Sequence, residues 1–373
     1  MKPVKLRIIV FSSRDISHPK WAGGDLYLSR VLAELSNLGH QIIIVCEKYP
    51  GAESLSILEG VRILRLRRGL LRPMRNFLVY NKMKTWADVV IEEIEGPAGP
   101  FFLALYVRRP LVGLWHQPVR KILLGQYPSV LAGLLSSLDT IYGRLMRDHV
   151  VITPSVASAR RIQSLGVPAT KTFVVPGAPD PGPQESKLVE IETPFFLTLG
   201  KYRKYKCFDH PILAMKRIVN SHPNCHLLLG GGRAATRREE EVLHRIARKE
   251  GVEANIRLQP LSQSEKNWAL ANSVALIVPS PIEGFSLVSV EANSFGTPVI
   301  ASSGVPEDVI VDGLNGLRYK FGDINQLSEK MMMLLDGSRR AELSRGCKEF
   351  ADRLSWPESA NLFLRAMRAS IHQ

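Results

Sequence analysis

The chain has 373 residues, of which 45% are hydrophobic and 23% charged, and 49 Lys and Arg stand against 35 Asp and Glu for a formal net charge of +14. No run of ~18 consecutive apolar residues occurs, which argues against a spanning helix. The four cysteines (Cys46, Cys207, Cys225, Cys347) lie far apart with no close pair, which argues against a disulfide framework and against a zinc site. The positive excess calls for phosphorylated substrates, anionic lipid or nucleic acid as partners.

The length predicts two domains of roughly 150 to 200 residues. The opening "MKPVKLRIIVF" has a basic head, but its apolar stretch is only Ile8 to Phe11 with no small-residue cleavage site, so it reads as a first strand in a cytoplasmic chain. Strands are expected at Leu6–Phe11, Gln41–Cys46, Val61–Leu66, Val89–Ile91, Leu111–Trp115, Val150–Thr153 and Thr172–Val175, with helical stretches such as Leu26–Leu38 between them. That alternation predicts βαβ units around a parallel sheet. The proline-rich "PGAPDPGPQESK" (Pro176–Lys187) reads as a linker. After it, strands at Phe195–Leu199, His226–Leu229, Ile256–Leu258, Ala275–Val278 and Val299–Ala301 alternate with helices at His210–Val219, Arg237–Lys249, Ser264–Ala271 and Leu287–Phe295. A last helix is expected over Ser355–Arg368 behind Ser-Trp-Pro. Ligands of open α/β sheets bind at the carboxyl ends of strands, so the loops there are the places to search.

Three such loops carry chemistry. "LGKYRKYKCFDH" offers Lys201, Arg203, Lys204 and Lys206 before a helix, where a solvated charge run is the plainer alternative. The Gly-rich turn Gly230–Arg233 follows the next strand, and neither segment fits a P-loop or dinucleotide fingerprint. "PIEGFSLVSVEANSFGTPVIAS" sets Glu283 and Glu291 eight positions apart around a helix start near Ser286. The amides of such a start favour phosphate, and a nearby carboxylate suits sugar hydroxyls. For an isolated pair of glutamates, a loop cap and a surface helix residue would be the default.

"EGFSLVSVE", continued by "EANSFGTPVIAS" and "GVPEDVIVDGLNGLRY", resembles the retaining glycosyltransferases of family 4, whose fold is called GT-B. The resemblance runs upstream through "LQPLSQSEKNWALANSVALIVPS" and "TPSVASARRIQSLGVPATKTFVVPGAPD" to "GGDLYLSRVLAELSNLGHQIIIVC". It implies an α/β fold of two Rossmann-like domains facing a central cleft, spanning 1–182 and 190–354, with 355–373 crossing back to the first. It further implies that Glu291 binds the donor's ribose, that Glu283 sits near the donor sugar, and that the amides of Gly284, Phe285, Ser286 and Leu287 hold sugar and phosphate. Lys201 and Lys206 match the Arg and Lys that grip the diphosphate. Lysine at the first position loses arginine's fork, and Arg203 is the candidate helper. Cys207 stands where glycine is usual, and Gly177 where asparagine is common. In the amino half, the resemblance implies donor contacts by Gly23 and Gly24 and a contact of His116, in "VGLWHQPV", with the donor sugar near the reacting carbon.

The implied reaction retains anomeric configuration, needs no protein nucleophile, and passes through an oxocarbenium-like state as charge grows on the departing diphosphate. Cations and helix amides aimed at that charge stabilise the transition state more than the ground state. The carboxylate-separation rule of glycoside hydrolases does not apply. No metal or other cofactor is expected, since no Asp-x-Asp motif and no His/Asp ligand cluster appears. The donor expected is a UDP-sugar before GDP-mannose, and the acceptor a hydroxyl of a lipid-linked or plain saccharide. The competing class is a noncatalytic partner that binds nucleotide sugar or membrane and regulates another transferase.

Eight basic residues and no acid fall between Arg62 and Lys84. Six of them (Arg62, Arg65, Arg67, Arg68, Arg72 and Arg75), with "YVRRP", "PVRK" and the apolar Ile122–Leu138, predict a basic rim beside an apolar helix, able to sit on an anionic membrane. Nucleic-acid binding lacks any recognised motif.

Overall fold

The computed structural model describes residues 5–69, 71–94, 102–118, 129–180, 191–231 and 237–371. Its backbone divides into two compact units, Met1–Gly177 with Ser355–Gln373, and Ala178–Leu354. Residues 181–190, where most of the expected linker falls, lie outside the described residues, as do Gly232, Arg233, Arg120, Lys121 and 122–128.

The first unit holds β1 (Arg7–Phe11), β2 (Gln41–Glu47), β3 (Leu55–Leu58), β4 (Val61–Leu66), β5 (Val89–Glu93), β6 (Leu111–Leu114), β7 (Val150–Thr153) and β8 (Thr172–Val174). They form one sheet in the order β3-β4-β2-β1-β5-β6-β7-β8, parallel except for β3 against β4. The central strands read as unbroken apolar runs because both faces are covered: Ile8, Ile9, Val10 and Phe11 are all fully buried. Helices α1 (Gly23–Asn37), α2 (Arg72–Met83), α3 (Ser129–Leu145) and α4 (Val156–Gln163) connect them. The edge strand β3 has no apolar pattern to announce it, since Leu55 and Ile57 are 68% and 71% exposed. Its signal is Glu59-Gly60, two residues with φ of 50° and 76° that turn the chain so that Leu58 pairs with Val61. Paired left-handed residues match the twist of a tight hairpin.

The second unit holds β9 (Phe195–Gly200), β10 (His226–Gly231), β11 (Ile256–Pro260), β12 (Leu276–Val278), β13 (Val299–Ser302) and β14 (Gly316–Tyr319), all parallel in the order β11-β10-β9-β12-β13-β14. Helices α5 (Asp209–Ser221), α6 (Arg237–Glu250), α7 (Gln263–Asn272), α8 (Leu287–Ser294), α9 (Ile324–Leu335) and α10 (Gly337–Ala351) cover it. Phe196, Leu227 and Ile277 pack with Ile212, Met215, Leu243 and Met331 of α5, α6 and α9 on one face. Leu197, Leu228 and Leu276 pack with Trp268 and Val290 of α7 and α8 on the other. Each such buried side chain contributes about 1.5–3 kcal/mol. β14 was not among the expected strands. At Gly316 a Cβ would lie 2.2 Å from the Val299 carbonyl oxygen, so only glycine lets β14 lie against β13.

A last helix, α11 (Trp356–Ile371), belongs to the first unit. Its Trp356 ring meets Tyr27 edge-on at 5.9 Å, and Ser359 Oγ donates to the Pro176 carbonyl at 2.7 Å. Among the described residues, no helix is long and apolar enough to cross a membrane.

The basic run needs correction. Arg65 is 6% exposed and ion-paired to buried Asp15 at 2.8 Å, because β4 turns it inward, and Arg72 donates to the Ser12 and Ser13 carbonyls and to Glu47. Neither can face a membrane. Arg62, Arg67 and Arg68 are exposed, although Arg68 pairs with Glu47 at 2.9 Å; Arg75 is half-buried and donates to the Arg67 carbonyl. The run contains no acid, yet folding brings Asp15 and Glu47 to it from elsewhere.

Candidate functional site

In the second unit, the loop after β9 begins at Lys201 and ends in a short turn, Lys204–Lys206. Lys206 Nζ donates to Glu283 Oε1 at 2.6 Å, and Glu283 is 8% exposed. Burial works against the Lys206 ammonium, but the Glu283 charge and hydrogen bond outweigh it and hold the pKa above the ordinary lysine value. Lys201 is half-buried at the head of this loop, whereas Arg203 is exposed. Cys207 closes the turn with φ of 50°, a left-handed backbone that costs glycine nothing.

Glu283 itself is placed by the loop after β13. Its N–H donates to the Gly304 carbonyl at 3.0 Å, and Ser302 Oγ donates to the Ser280 carbonyl. A Cβ on Gly304 would lie 2.3 Å from the Pro281 carbonyl carbon, so glycine is what allows the two loops to touch. Ser286 then precedes α8 with φ of 81°, strained for a residue with a Cβ, and its hydroxyl pairs with Ser289 Oγ at 2.7 Å. Such strain costs about 1–3 kcal/mol and concentrates where ligands are held. Phe285 is buried in the core and Leu287 packs against it, which anchors the helix start while Gly284 lies between Glu283 and that anchor.

Glu291, in the second turn of α8, is 5% exposed and not the surface residue that an isolated helix pattern suggests. Lys266 of α7 donates to its Oε1 at 2.9 Å. Burial raises the Glu291 pKa, Lys266 opposes that rise, and the Asp180 charge adds to it. Buried ion pairs are weak contributors to stability, so two of them beside one helix start point to a ligand. The far side of α8 is fixed by a buried amide pair. Asn315 Nδ2 donates to Asn293 Oδ1 at 2.8 Å, and Asn293 Nδ2 donates to the Thr297 and Asn315 carbonyls. Replacing Lys266 by methionine should raise the Glu291 pKa further. Donor binding that needs the ionised carboxylate would then fail, as pH falls, at a higher pH than in the wild type; calorimetric titrations across pH check this.

Gly230 and Gly231 belong to β10, and not to a free turn. A Cβ on Gly231 would lie 2.4 Å from the Tyr202 ring, whose hydroxyl donates to the Leu229 carbonyl at 2.5 Å. Gly231 therefore serves close packing of the Lys201 loop on β10, and Gly230 makes room for the Leu199 and Leu261 side chains.

In the first unit, Gly23 and Gly24 open α1, where Asp25 accepts from the Ala22 N–H at 2.6 Å. A Cβ on Gly24 would lie 3.1 Å from the His116 ring, so Gly24 makes room for that histidine. His116, two residues beyond β6, contacts Glu93 Oε1 through Nε2 at 2.9 Å and meets Tyr27 edge-on. Glu93 is fully buried at the end of β5 and also accepts from Ser12 Oγ at 2.5 Å. Sequence reasoning missed Glu93 and Lys266, since an acid at a strand end and a lysine on a helix carry no local signal of their partners. Glu93→Gln should keep the side chain's size but lose its charge, lowering turnover roughly ten- to a hundredfold, as expected for a hydrogen bond to a charged group worth about 1.5–3 kcal/mol. Steady-state kinetics with nucleotide binding as control would show it, and unchanged turnover would deny Glu93 a role.

Residues 184–353 match the family profile of the glycosyl transferases group 1, and residues 21–182 match that of glycosyltransferase family 4. With parallel α/β units of this kind, the chain belongs to the group 1 glycosyltransferase family and has the GT-B fold. D-inositol 3-phosphate glycosyltransferase of Corynebacterium aurimucosum is 27% identical over 193 residues, 49% of this chain and 46% of that protein. The chain thus matches about half the length of that curated relative. Sucrose-phosphate synthase from Thermosynechococcus elongatus superposes with a TM-score of 0.81 at 19% identity, covering 98% of this chain and 99% of that one. Anabaena HepE, solved in complex with UDP-glucose, gives 0.78 at 15% identity, covering 98% and 100%.

Proposed function

We propose that the chain is a retaining glycosyltransferase that moves a hexosyl group from a nucleotide-diphosphate sugar, a UDP-sugar before GDP-mannose, to a hydroxyl of a lipid-linked or saccharide acceptor. The observation that carries this reading is the pair of buried glutamates, Glu283 and Glu291, each held by its own lysine on either side of the strained start of α8. Glu291 accepts hydrogen bonds from the ribose hydroxyls, and Glu283 with the amides from Gly284 to Leu287 holds the sugar and phosphate. Lys206, with Lys201, meets the charge that develops on the leaving diphosphate. In the first unit, His116, braced by Glu93, is the proposed donor contact. HepE's complex with UDP-glucose lends support to a uridine donor.

Calorimetry with uridine, guanosine and adenosine diphosphates tests the reading. Selective binding of one, lost in Glu291→Ala, supports it; binding of none favours a noncatalytic partner of another transferase.

The membrane reading moves to α2 and its approach. Leu71, Met74, Phe77 and Leu78 are 55%, 51%, 41% and 50% exposed, beside exposed Arg67 and Arg68. We propose that this face rests on an anionic membrane bearing the acceptor. Flotation with anionic vesicles at low salt should carry the wild type upward and leave a Met74→Glu, Phe77→Glu variant behind; a wild type that stays at the bottom defeats the idea.

A further inference from the structure

Directly after Lys206, three residues bring a thiol, a carboxylate and an imidazole together. One donor atom each from Cys207, Asp209 and His210 lies within 4.8 Å of the other two, and all three residues are half-buried. Among the described residues, two buried polar atoms near this cluster have no hydrogen-bond partner: His210 Nδ1 and Tyr319 Oη. Tyr319, at the end of β14, is 3% exposed. Burial first, then the charges of Cys207 and Asp209, keep its hydroxyl protonated, which sets the ring within electrostatic reach of the cluster. A buried polar group without a partner costs about 1–3 kcal/mol, and such groups are few in folded proteins. Two of them around a sulfur, nitrogen and oxygen donor set call for a common ligand.

We propose that Cys207, Asp209 and His210 bind a zinc ion, with the fourth position open to water and the Tyr319 hydroxyl as a hydrogen-bond partner of the ligand set. Mixed thiolate, imidazole and carboxylate donors suit Zn2+, whereas Mg2+ and Ca2+ take oxygen alone. The spacing, one donor at i and two at i+2 and i+3, spreads the ligands over a left-handed residue and the first turn of α5. Binding forms a sulfur–zinc bond and releases the thiol proton to solvent. The site stands on its own geometry, independent of the transferase reading, although it adjoins Lys206 in the chain.

The test uses the full chain, stripped with chelator and titrated with Co2+ as the probe. The expected result is one Co2+ per chain with a thiolate-to-cobalt charge-transfer band, displaced by Zn2+ and not by Mg2+. Cys207→Gly, which suits the left-handed backbone, should abolish the band although Cys46, Cys225 and Cys347 remain. His210→Gln should weaken binding by at least about tenfold. Thermal melts confirm that both variants fold. No band in the wild type, or an equal band in folded Cys207→Gly, overturns the site.

Discussion

Lys206→Met is expected to lower turnover by about 10²–10³-fold, the usual loss when one group that meets developing negative charge is removed. Two effects combine. On the proposed reading the diphosphate leaves with Lys201 but without Lys206 to meet its charge, and Glu283, 8% exposed and bonded to Lys206 at 2.6 Å, loses that partner. Donor affinity should fall less than turnover, because the charge on the diphosphate is greater at the transition state than in the bound substrate. Lys206→Arg keeps the charge and should recover part of the rate. Single-turnover kinetics with calorimetric donor binding separate the two effects. Equal losses in both would make Lys206 a ground-state binding residue, and wild-type kinetics would remove it from the site.

The second large effect concerns stability. Arg65 and Asp15 have side chains only 4% and 1% exposed, joined by Nε to Oδ2 at 2.8 Å and by a second guanidinium bond at 3.0 Å. Arg65 also donates to the Glu53 carbonyl and Ser56 Oγ, and so ties β4 to the loop before β3 and to β3 itself. Removing one member of such a pair leaves a buried charge without compensation. Arg65→Ala should therefore cost about 3–5 kcal/mol, read as a lower midpoint in urea. Burial would raise the Asp15 carboxyl, but hydrogen bonds from Arg65, the Ser17 N–H and Cys46, with the Arg65 charge, hold it below the usual carboxylate range. The folded pKa is thus depressed. The stability it supplies is present above the unfolded value of about 3.9 and is lost as pH falls through the folded value. Urea midpoints from neutral to acid pH should fall more steeply in the wild type than in Asp15→Asn, whose own loss at neutral pH completes the comparison.

Much of the layout was legible from residue order. The runs at Val61–Leu66 and Val150–Thr153 became strands with those same bounds, since strands covered on both faces must be apolar throughout. β3 and β14 were not read. One is an exposed edge whose side chains face water, and the other begins at a glycine whose purpose is the backbone lying over it. The carboxylates of the candidate site were legible because Glu283 and Glu291 share one short segment.

What the sequence alone determined was the alternation of apolar strands with helices, the break near Pro176, and the placing of glutamates and lysines at strand ends, because these depend on neighbours in the chain. What only the tertiary structure decided was which charge meets which. Lys206 reaches Glu283 across 77 residues, Lys266 reaches Glu291 across 25, Glu93 holds His116 across 23, and Arg65 turns inward to Asp15 across 50. A side chain's charge is written in its residue type, but its burial and its partner are set by the packing of elements far apart in the chain. A basic segment that reads as one continuous surface was therefore divided by the fold, with Arg62, Arg67 and Arg68 in solvent and Arg65 in the core.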